Sequence, residues 1–173
     1  PLGTQELNKR LQAKLNPASC LNDTPHIKVG EQVYFQGDRV CQRVNNYNIH
    51  EAGVFNGDIG QVYSIDQSDR SMVVELWDGR LVKYEQGDLT QLSLAYAISV
   101  HRSQGSEIPC VVLALHESHY ILLERQLLYT GVTRAKKLLI IVGSRKALAI
   151  ACRKARSMRR HSMLKERIQR LLA

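Results

Sequence analysis

The 173-residue sequence predicts an α/β fold with a parallel sheet, interrupted by a small β-barrel. Residues 110–115 and 138–142 are continuous apolar runs, which are typical of strands covered on both faces of a sheet. The helix-like residues 120–133 lie between them and give a β-α-β order, for which parallel strands are expected. Residues 30–92 instead show short strands separated by turn residues, and this spacing indicates a small barrel.

The first predicted element is a helix over residues 4–15, with Thr4 as its N-cap. Three leucines repeat along it at helical spacing: Leu7, Leu11 and Leu15. The helix is expected to end at Asn16, because the residue before a proline is disfavoured in helical conformation. Residues 18–29 show no period and are interpreted as a linker.

The barrel segment contains five predicted strands with distinct turns between them. These strands are residues 33–35, 39–44, 61–65, 72–77 and 80–84. Residues 56–60 are rich in residue types that tolerate positive φ and predict a tight turn into the third strand. Asp78 and Gly79 connect the last two strands and predict a hairpin with a type I′ turn.

Two helices are predicted after the second apolar run. Ser144 is the expected N-cap of a helix that extends to residue 156 or so. A last helix is expected from Ser162, and it carries four apolar side chains on one face: Leu164, Ile168, Leu171 and Leu172.

The composition narrows the class of protein. With 44% hydrophobic residues the chain can bury a core, so a disordered protein is not expected. The apolar runs are far shorter than a membrane span, and the N-terminus lacks the basic-then-apolar pattern of a signal peptide. No membrane partner is therefore expected. Because the sequence starts at Pro1 rather than at a methionine, we expect a piece of a longer protein.

The cysteines are widely spaced and form no CxxC pair. They are Cys20, Cys41, Cys110 and Cys152. Neither a disulfide framework nor a zinc site is expected from this spacing, no metal-binding residues are predicted, and the reducing cytoplasm is the default location.

The formal charge of +8 is distributed unevenly along the chain. Residues 1–133 carry 11 Lys and Arg against 15 Asp and Glu, a net of −4, whereas residues 134–173 carry 13 against one, a net of +12. A basic end of this kind suits a phosphate backbone. The alternatives are a solvated helix face or a surface that docks on an acidic neighbour.

A polar loop within residues 95–107 has the residue types that a phosphate or sugar contact needs. Gly105 lets the backbone come close to a ligand, and the Glu107 carboxylate can accept a hydrogen bond from a ribose hydroxyl. The alternative is a helix-terminating glycine in front of a strand. No GxxxxGK[ST] phosphate loop occurs in the 173 residues.

Arg134 lies at the end of the helix-like segment, just before the second apolar run. Its permanently charged guanidinium can donate two hydrogen bonds to phosphate oxygens and stabilise the negative charge that a γ-phosphate carries in the transition state of its transfer. The alternative is an arginine that binds the last carbonyls of its helix. We expect the latter role for Lys136 and Lys137.

Together, residues 95–107 and 127–137 resemble motifs V and VI of superfamily 1 helicases. The likeness is strongest to the RecD-like 5′→3′ branch, which includes the exodeoxyribonuclease V alpha subunit. Residues 3–17 resemble the first helix of that family's second motor domain, and residues 37–47 and 54–60 resemble its inserted SH3-like barrel. The resemblance implies a RecA-like domain of the P-loop NTPase type, with the SH3-like β-barrel inserted. The expected boundaries are 1–29 for the first helix and linker, 30–92 for the barrel and 93–173 for the rest of the motor domain.

The resemblance also implies a role for each matching residue. Arg134 would be the arginine finger that reaches a γ-phosphate held mainly by a first motor domain, and Gly105 and Glu107 would touch the nucleotide. Four residues would lie near single-stranded DNA: Ser99, His101, Ser103 and Gln104. Ser99 stands where the family usually has threonine and Arg102 where lysine is frequent, so the hydroxyl and the charge are kept.

The implied activity is that of the C-terminal motor domain of an ATP-dependent DNA helicase in recombination and repair. ATP and Mg²⁺ are the cofactors implied for the full-length enzyme, and the chain alone is expected to be inactive. The implied partners are single-stranded DNA, the N-terminal motor domain of the same protein and subunits of a nuclease complex. The alternative is a module that binds single-stranded nucleic acid or docks on subunits without ATPase activity.

For His101 and Tyr129 the residue type and its neighbours also allow a purely structural role. His101 can be a structural histidine that orients its loop. Tyr129 can stack on a base, but a helical tyrosine beside Leu127 and Leu128 is expected in the core.

Overall fold

The computed structural model describes residues 3–17, 24–155 and 164–172. Two compact units are distinguished, Pro1–Ser106 and Glu107–Ala173. Cys20 and the predicted helix start at Ser162 lie outside the described residues.

The first unit begins with α1 (Thr4–Leu15), so the predicted bounds of this helix are confirmed. The expectation that Thr4 is its N-cap is wrong. Gly3, in extended conformation, is the N-cap, and no side chain caps the helix. The buried face is polar, with Asn8 and Gln12 buried, whereas Leu15 is 60% exposed.

A two-stranded hairpin follows, formed by β1 (His26–Val29) and β2 (Gln32–Phe35). Strand β1 occupies part of the segment interpreted as a linker, so that interpretation is wrong for these four residues. Because the strand has four residues and buries only Ile27, no period is visible in the sequence. Its pairing with β2 defines it as a strand.

The predicted short strands form a five-stranded antiparallel sheet in the order β6-β5-β4-β3-β7. Its strands are β3 (Arg39–Gln42), β4 (Ile59–Asp66), β5 (Ser71–Leu76), β6 (Leu81–Tyr84) and β7 (Leu92–Leu94). The core of this unit is built from apolar side chains of this sheet and of the β1–β2 hairpin, among them Val40, Val62, Met72, Val74 and Tyr84.

The hairpin between β5 and β6 is confirmed, but its predicted type I′ turn is wrong. A type I′ turn needs two residues with positive φ, and in this loop only Gly79 has one, at 88°. The Gly79 N–H donates to the Leu76 carbonyl at 2.9 Å, and the Leu76 N–H donates to the Arg80 carbonyl at 2.8 Å. The connection is therefore a three-residue loop with a glycine bulge.

The second unit has the predicted β-α-β order. Strands β8 (Ile108–Leu115) and β9 (Ala135–Gly143) pair in parallel, and α2 (Arg125–Val132) lies between them in the chain. The helix is shorter than predicted, because residues 120–122 form turns and Glu124, in extended conformation, is its N-cap.

The two parallel strands are not covered on both faces by the residues that the structure describes. Val112, Leu138 and Val142 are 61%, 51% and 54% exposed. Helix α2 contacts both strands and also packs against α3 (Arg145–Arg153), but this cover leaves most side chains of β9 open. The expectation of strands buried on both sides is therefore wrong for this chain taken alone.

Ser144 is confirmed as the N-cap of α3, since its hydroxyl accepts the Ala147 N–H at 3.0 Å. The helix ends at Arg153, three residues before the predicted end. Helix α4 spans Leu164–Leu171, and its apolar residues Ile168 and Leu171 are exposed.

Some classes of site have no counterpart in the described part of the chain. No described helix is long and apolar enough to cross a membrane. Within the same residues no group of three or more His, Cys, Asp or Glu side chains could hold a metal ion.

Candidate functional site

The predicted ligand loop, residues 99–105, follows a firmly held segment of the first unit. The side chain of Asn8 in α1 accepts the Ala97 N–H at 2.9 Å and donates to the Ala97 carbonyl at 2.7 Å. One residue earlier, the Tyr96 hydroxyl donates to Asp38 Oδ1 at 2.8 Å. The chain therefore enters the loop from a fixed position.

The loop itself is a succession of tight turns. The N–H groups of Arg102 and Ser103 both donate to the Ser99 carbonyl, at 3.0 and 3.2 Å. Gly105 has a φ of 85°, and a Cβ added there would meet nothing within 4 Å. The glycine is therefore required by its backbone conformation, and the space beside it is open to a ligand.

The four residues expected near a nucleic-acid strand differ in accessibility. Ser99, His101 and Gln104 are exposed, whereas Ser103 is buried and its hydroxyl donates to the Val100 carbonyl at 2.8 Å. Ser103 thus shapes the loop, and the three other side chains face solvent.

The middle of the loop lies against the five-stranded sheet and its connecting turns, together called the barrel. A Cβ added to Gly57, in the turn before β4, would lie 3.4 Å from the Arg102 carbonyl oxygen. The Arg102 guanidinium also donates to the hydroxyl of Ser93 in β7 at 3.4 Å. The predicted turn at residues 56–60 is therefore a neighbour of the loop as well as a connection between strands.

In the second unit, Glu107 precedes β8 and forms an ion pair with Lys136 in β9, with 2.6 Å between Oε2 and Nζ. The hydrogen bond and the charge of Lys136 lower the pKa of Glu107, with a further contribution from Arg134. The parallel register explains the meeting, since Ile108 pairs with Ala135. The expectation that Lys136 binds the last carbonyls of α2 is wrong.

Arg134 follows α2 and is half-buried at its C-terminal end. Its Nε donates to the Thr130 carbonyl at 3.2 Å and its Nη2 to the Thr133 hydroxyl at 3.3 Å. The structure thus shows the arginine on a late carbonyl of its helix, which is the alternative that the sequence left open. A role at a nucleotide stays a prediction.

Seven residues were predicted as site residues, and the structure places them in two groups. Ser99, His101, Ser103, Gln104 and Gly105 share the loop of the first unit. Glu107 and Arg134 lie at the start of the parallel pair in the second unit, together with Lys136, which sequence reasoning missed. A parallel register of β8 with β9 is the signal that would have indicated Lys136.

Several aromatic side chains are exposed. Tyr129, expected in the core, is 69% exposed, so that expectation is wrong. In the barrel, Tyr47 is 68% exposed and Trp77 56%. The rings of Tyr47 and Phe55 pack edge to face, with 5.7 Å between their centroids.

Comparison with known proteins identifies both parts of the chain. The model of the UvrD-like helicase C-terminal domain matches residues 94–142. The model of the ATP-dependent RecD-like DNA helicase SH3 domain matches residues 7–76. Over 169 residues the chain is 37% identical to the ATP-dependent RecD2 DNA helicase of Deinococcus radiodurans, and the match covers 98% of this chain. Over 175 residues it is 31% identical to the RecBCD enzyme subunit RecD of Mycobacterium tuberculosis, again with 98% of this chain covered.

The chain belongs to the RecD-like helicase family. It spans 22% of the length of the Deinococcus relative and 27% of the Mycobacterium relative. The residues matched by the helicase C-terminal domain model include all seven predicted site residues.

A solved structure supports the fold. Unliganded Pif1 from a Bacteroides species is similar with a TM-score of 0.52 at 20% identity, over 80% of this chain and 38% of that chain. At this level of identity the likeness concerns the fold alone. It confirms the predicted class, a RecA-like α/β fold with parallel strands and an SH3-like β-barrel.

Proposed function

We propose that the chain is the second motor domain of an ATP-dependent DNA helicase that moves 5′→3′ along single-stranded DNA. The observation that carries the proposal is the order of its parts. The loop of residues 99–105 and Arg134 both fall within the matched helicase C-terminal domain (residues 94–142), which follows the matched SH3 domain (residues 7–76) in the chain. Domain boundaries at 1–29, 30–92 and 93–173 belong to this proposal.

The nucleotide contacts are proposed for the groups at the start of β8 and for the loop glycine. Arg134 reaches the γ-phosphate by exchanging its bond to the Thr130 carbonyl for phosphate oxygens, an exchange that its half-exposed position favours. Lys136 adds a second cation beside it, paired with Glu107. Open space beside Gly105 admits the sugar or phosphate. These donors suit a phosphate-bearing ligand such as ATP.

ATP and Mg²⁺ are assigned mainly to a first motor domain of the same protein, because the 173 residues contain no GxxxxGK[ST] loop. The chain by itself is therefore proposed to be inactive in ATP hydrolysis. When bound, Mg²⁺ supplies charge neutralisation at the phosphates. The role of this chain is to position the arginine and to transmit closure of the cleft between the two motor domains.

The DNA contacts are proposed for the exposed side chains of the loop. Ser99, His101 and Gln104 offer hydrogen-bond donors to backbone phosphates, and Ser103 holds the loop in shape through Val100. The barrel, which the loop approaches at Gly57, forms part of the wall of the channel that holds the DNA strand. The net charge of +12 in residues 134–173 adds sequence-independent attraction. Nuclease-complex subunits are proposed as further partners, and the cytoplasm as location.

Binding of a fluorescent oligo-dT strand tests this assignment. Replacing His101 and Gln104 together with alanine is expected to weaken binding about tenfold, and wild-type affinity is expected to fall steeply with salt. The matched control is the pair His116→Ala and Gln67→Ala, two exposed residues outside the loop. Equal losses in both pairs, or none in the loop variant, would contradict a strand contact at the loop.

A second candidate function is a module that binds single strands without ATPase activity. It is favoured by the missing phosphate loop and by exposed aromatic side chains such as Tyr47 and Trp77 in the barrel. Binding that survives when a first motor domain is present, yet never stimulates ATP hydrolysis, would support this candidate over the motor.

A further inference from the structure

Asp38 is a fully buried carboxylate in the turn between β2 and β3, with a relative exposure of 0%. Each of its oxygens accepts two hydrogen bonds. Oδ1 accepts from the Asn16 amide and the Tyr96 hydroxyl, each at 2.8 Å. Oδ2 accepts from the Gln12 amide at 2.5 Å and from the Phe35 N–H at 2.8 Å. Asp38 takes part in none of the salt bridges found among the described residues.

Four hydrogen bonds use all the acceptor positions of the carboxylate and so offset the cost of burying it. The four donors come from three separate parts of the chain. Gln12 and Asn16 belong to α1 and its end, Phe35 to β2, and Tyr96 to the segment before the loop. Asp38 therefore ties the helix, the hairpin and the approach to the loop to a single point.

This tie explains the polar face of α1. Asn8, Gln12 and Asn16 repeat at intervals of four residues and are all 7% exposed. Gln12 and Asn16 bind Asp38, and Asn8 binds both backbone groups of Ala97. The helix thus holds Ala97 directly and the preceding residue, Tyr96, through Asp38. Both residues lie close to the start of the loop.

The Tyr96 hydroxyl is suited to this bond. Burial, together with the bond to Asp38, raises the pKa of Tyr96, so the hydroxyl stays protonated and donates. Three residues later the loop begins at Ser99, and its far side rests on the barrel turn at Gly57. The loop is therefore held by the barrel at two places.

We propose that Asp38 is a positioning residue for the loop of residues 99–105: its buried carboxylate, acting through Tyr96 and supported by α1, fixes that loop on the barrel. Movement of the barrel is thereby passed to the loop, and movement of the loop to the barrel. This proposal rests on the proposed function for its purpose, because the loop is the element assigned to the DNA strand.

Amide hydrogen exchange in the 173-residue chain tests the positioning directly. Tyr96→Phe removes one hydroxyl and keeps the ring, so it leaves the other three donors on Asp38. Exchange at Ala97, Arg102 and Ser103 is expected to accelerate about tenfold, as for the loss of one hydrogen bond to a charged acceptor. Exchange in β5 and β6 is expected to stay unchanged.

The matched control is Tyr84→Phe. It also removes a buried tyrosine hydroxyl from a side-chain acceptor, Gln42 Oε1 at 3.1 Å, but has no bond to the segment before the loop. The control is expected to leave exchange in the loop unchanged. The positioning role is overturned if amide exchange in the loop accelerates equally in both variants, or if it does not accelerate in Tyr96→Phe.

Binding of oligo-dT by the same variants separates this proposal from the proposed function. Loop-selective acceleration with binding weakened in Tyr96→Phe supports both. Loop-selective acceleration in a chain whose wild type does not bind oligo-dT supports the positioning role and removes the proposed DNA contact. Asp38→Asn turns a donor amide against two of the four donors, so it is expected to accelerate exchange in the loop at least as much as Tyr96→Phe.

Discussion

Replacing Asp38 with alanine is expected to lower the free energy of unfolding of the chain by about 4 kcal/mol. The substitution leaves four buried donors without their acceptor, on Gln12, Asn16, Phe35 and Tyr96. A buried donor without a partner costs about 1–3 kcal/mol, and water that enters the space recovers part of that loss. Four donors at the lower end of that range, about 1 kcal/mol each, give a loss of about 4 kcal/mol.

The assay is urea unfolding followed by circular dichroism, with Asp66→Ala as the matched control. Asp66 Oδ1 also accepts several hydrogen bonds, from the N–H and hydroxyl of Ser68 and from the Asp69 N–H, but all of them are exposed. Water replaces those bonds, so the control is expected to lose clearly less stability. Equal losses in the two variants would refute the reasoning, because the number of bonds rather than their burial would then decide.

Three further predictions concern other parts of the chain. Lys136→Ala is expected to raise the pKa of Glu107 towards its ordinary value, measured by NMR titration. Because the pKa of Glu107 is lowered in the folded chain, the pair stabilises the fold at neutral pH, and this stabilisation disappears as the pH falls through that pKa. An unchanged pKa would contradict the pair. Gly60→Ala is expected to lower the free energy of unfolding by about 1–3 kcal/mol, measured by thermal unfolding, because a Cβ would lie 2.5 Å from the Glu75 carbonyl oxygen. An unchanged stability would show that β4 can move away from β5 at little cost. Ser144→Ala is expected to lower the free energy of unfolding by about 1 kcal/mol, because α3 loses its N-cap and Glu117 loses the hydrogen bond from the Ser144 hydroxyl. Ser144→Thr keeps the hydroxyl and is expected to restore the stability.

Much of the fold could be predicted because local patterns and long-range structure agree. The parallel pair follows from two apolar runs with a helix between them, and the hairpin between β5 and β6 from a turn signal between alternating strands. The turn type was wrong because Asp78 and Gly79 occur in both two-residue and three-residue loops. Only the register, with Glu75 opposite Leu81, distinguishes them.

The buried face of α1 could not be predicted from hydrophobicity. Leucines and polar residues both repeat every four positions along this helix, one residue apart, and hydrophobic periodicity favours the leucines. The structure buries the polar row because its side chains bond Asp38, Val33 and Ala97, which are distant in sequence. Contacts of that range leave no local signal.

The candidate site was predicted in part. The loop and Arg134 were singled out from residue type and order, and the structure gives Gly105 the positive φ that such a loop needs. The bond of Lys136 to Glu107 was missed because it depends on the parallel register. The exposure of Tyr129 was missed because neighbouring apolar residues favour a core position by composition alone.

The central claim, that this chain is a motor domain with Arg134 at the γ-phosphate, is tested most directly by DNA-stimulated ATP hydrolysis. The measurement compares Arg134→Ala with Arg145→Ala, an exposed arginine at the start of α3, in the protein that joins this chain to a first motor domain. Arg134→Ala is expected to lower kcat about a thousandfold or more while oligo-dT binding persists, and Arg145→Ala to leave kcat unchanged. Undiminished turnover in Arg134→Ala would contradict the account.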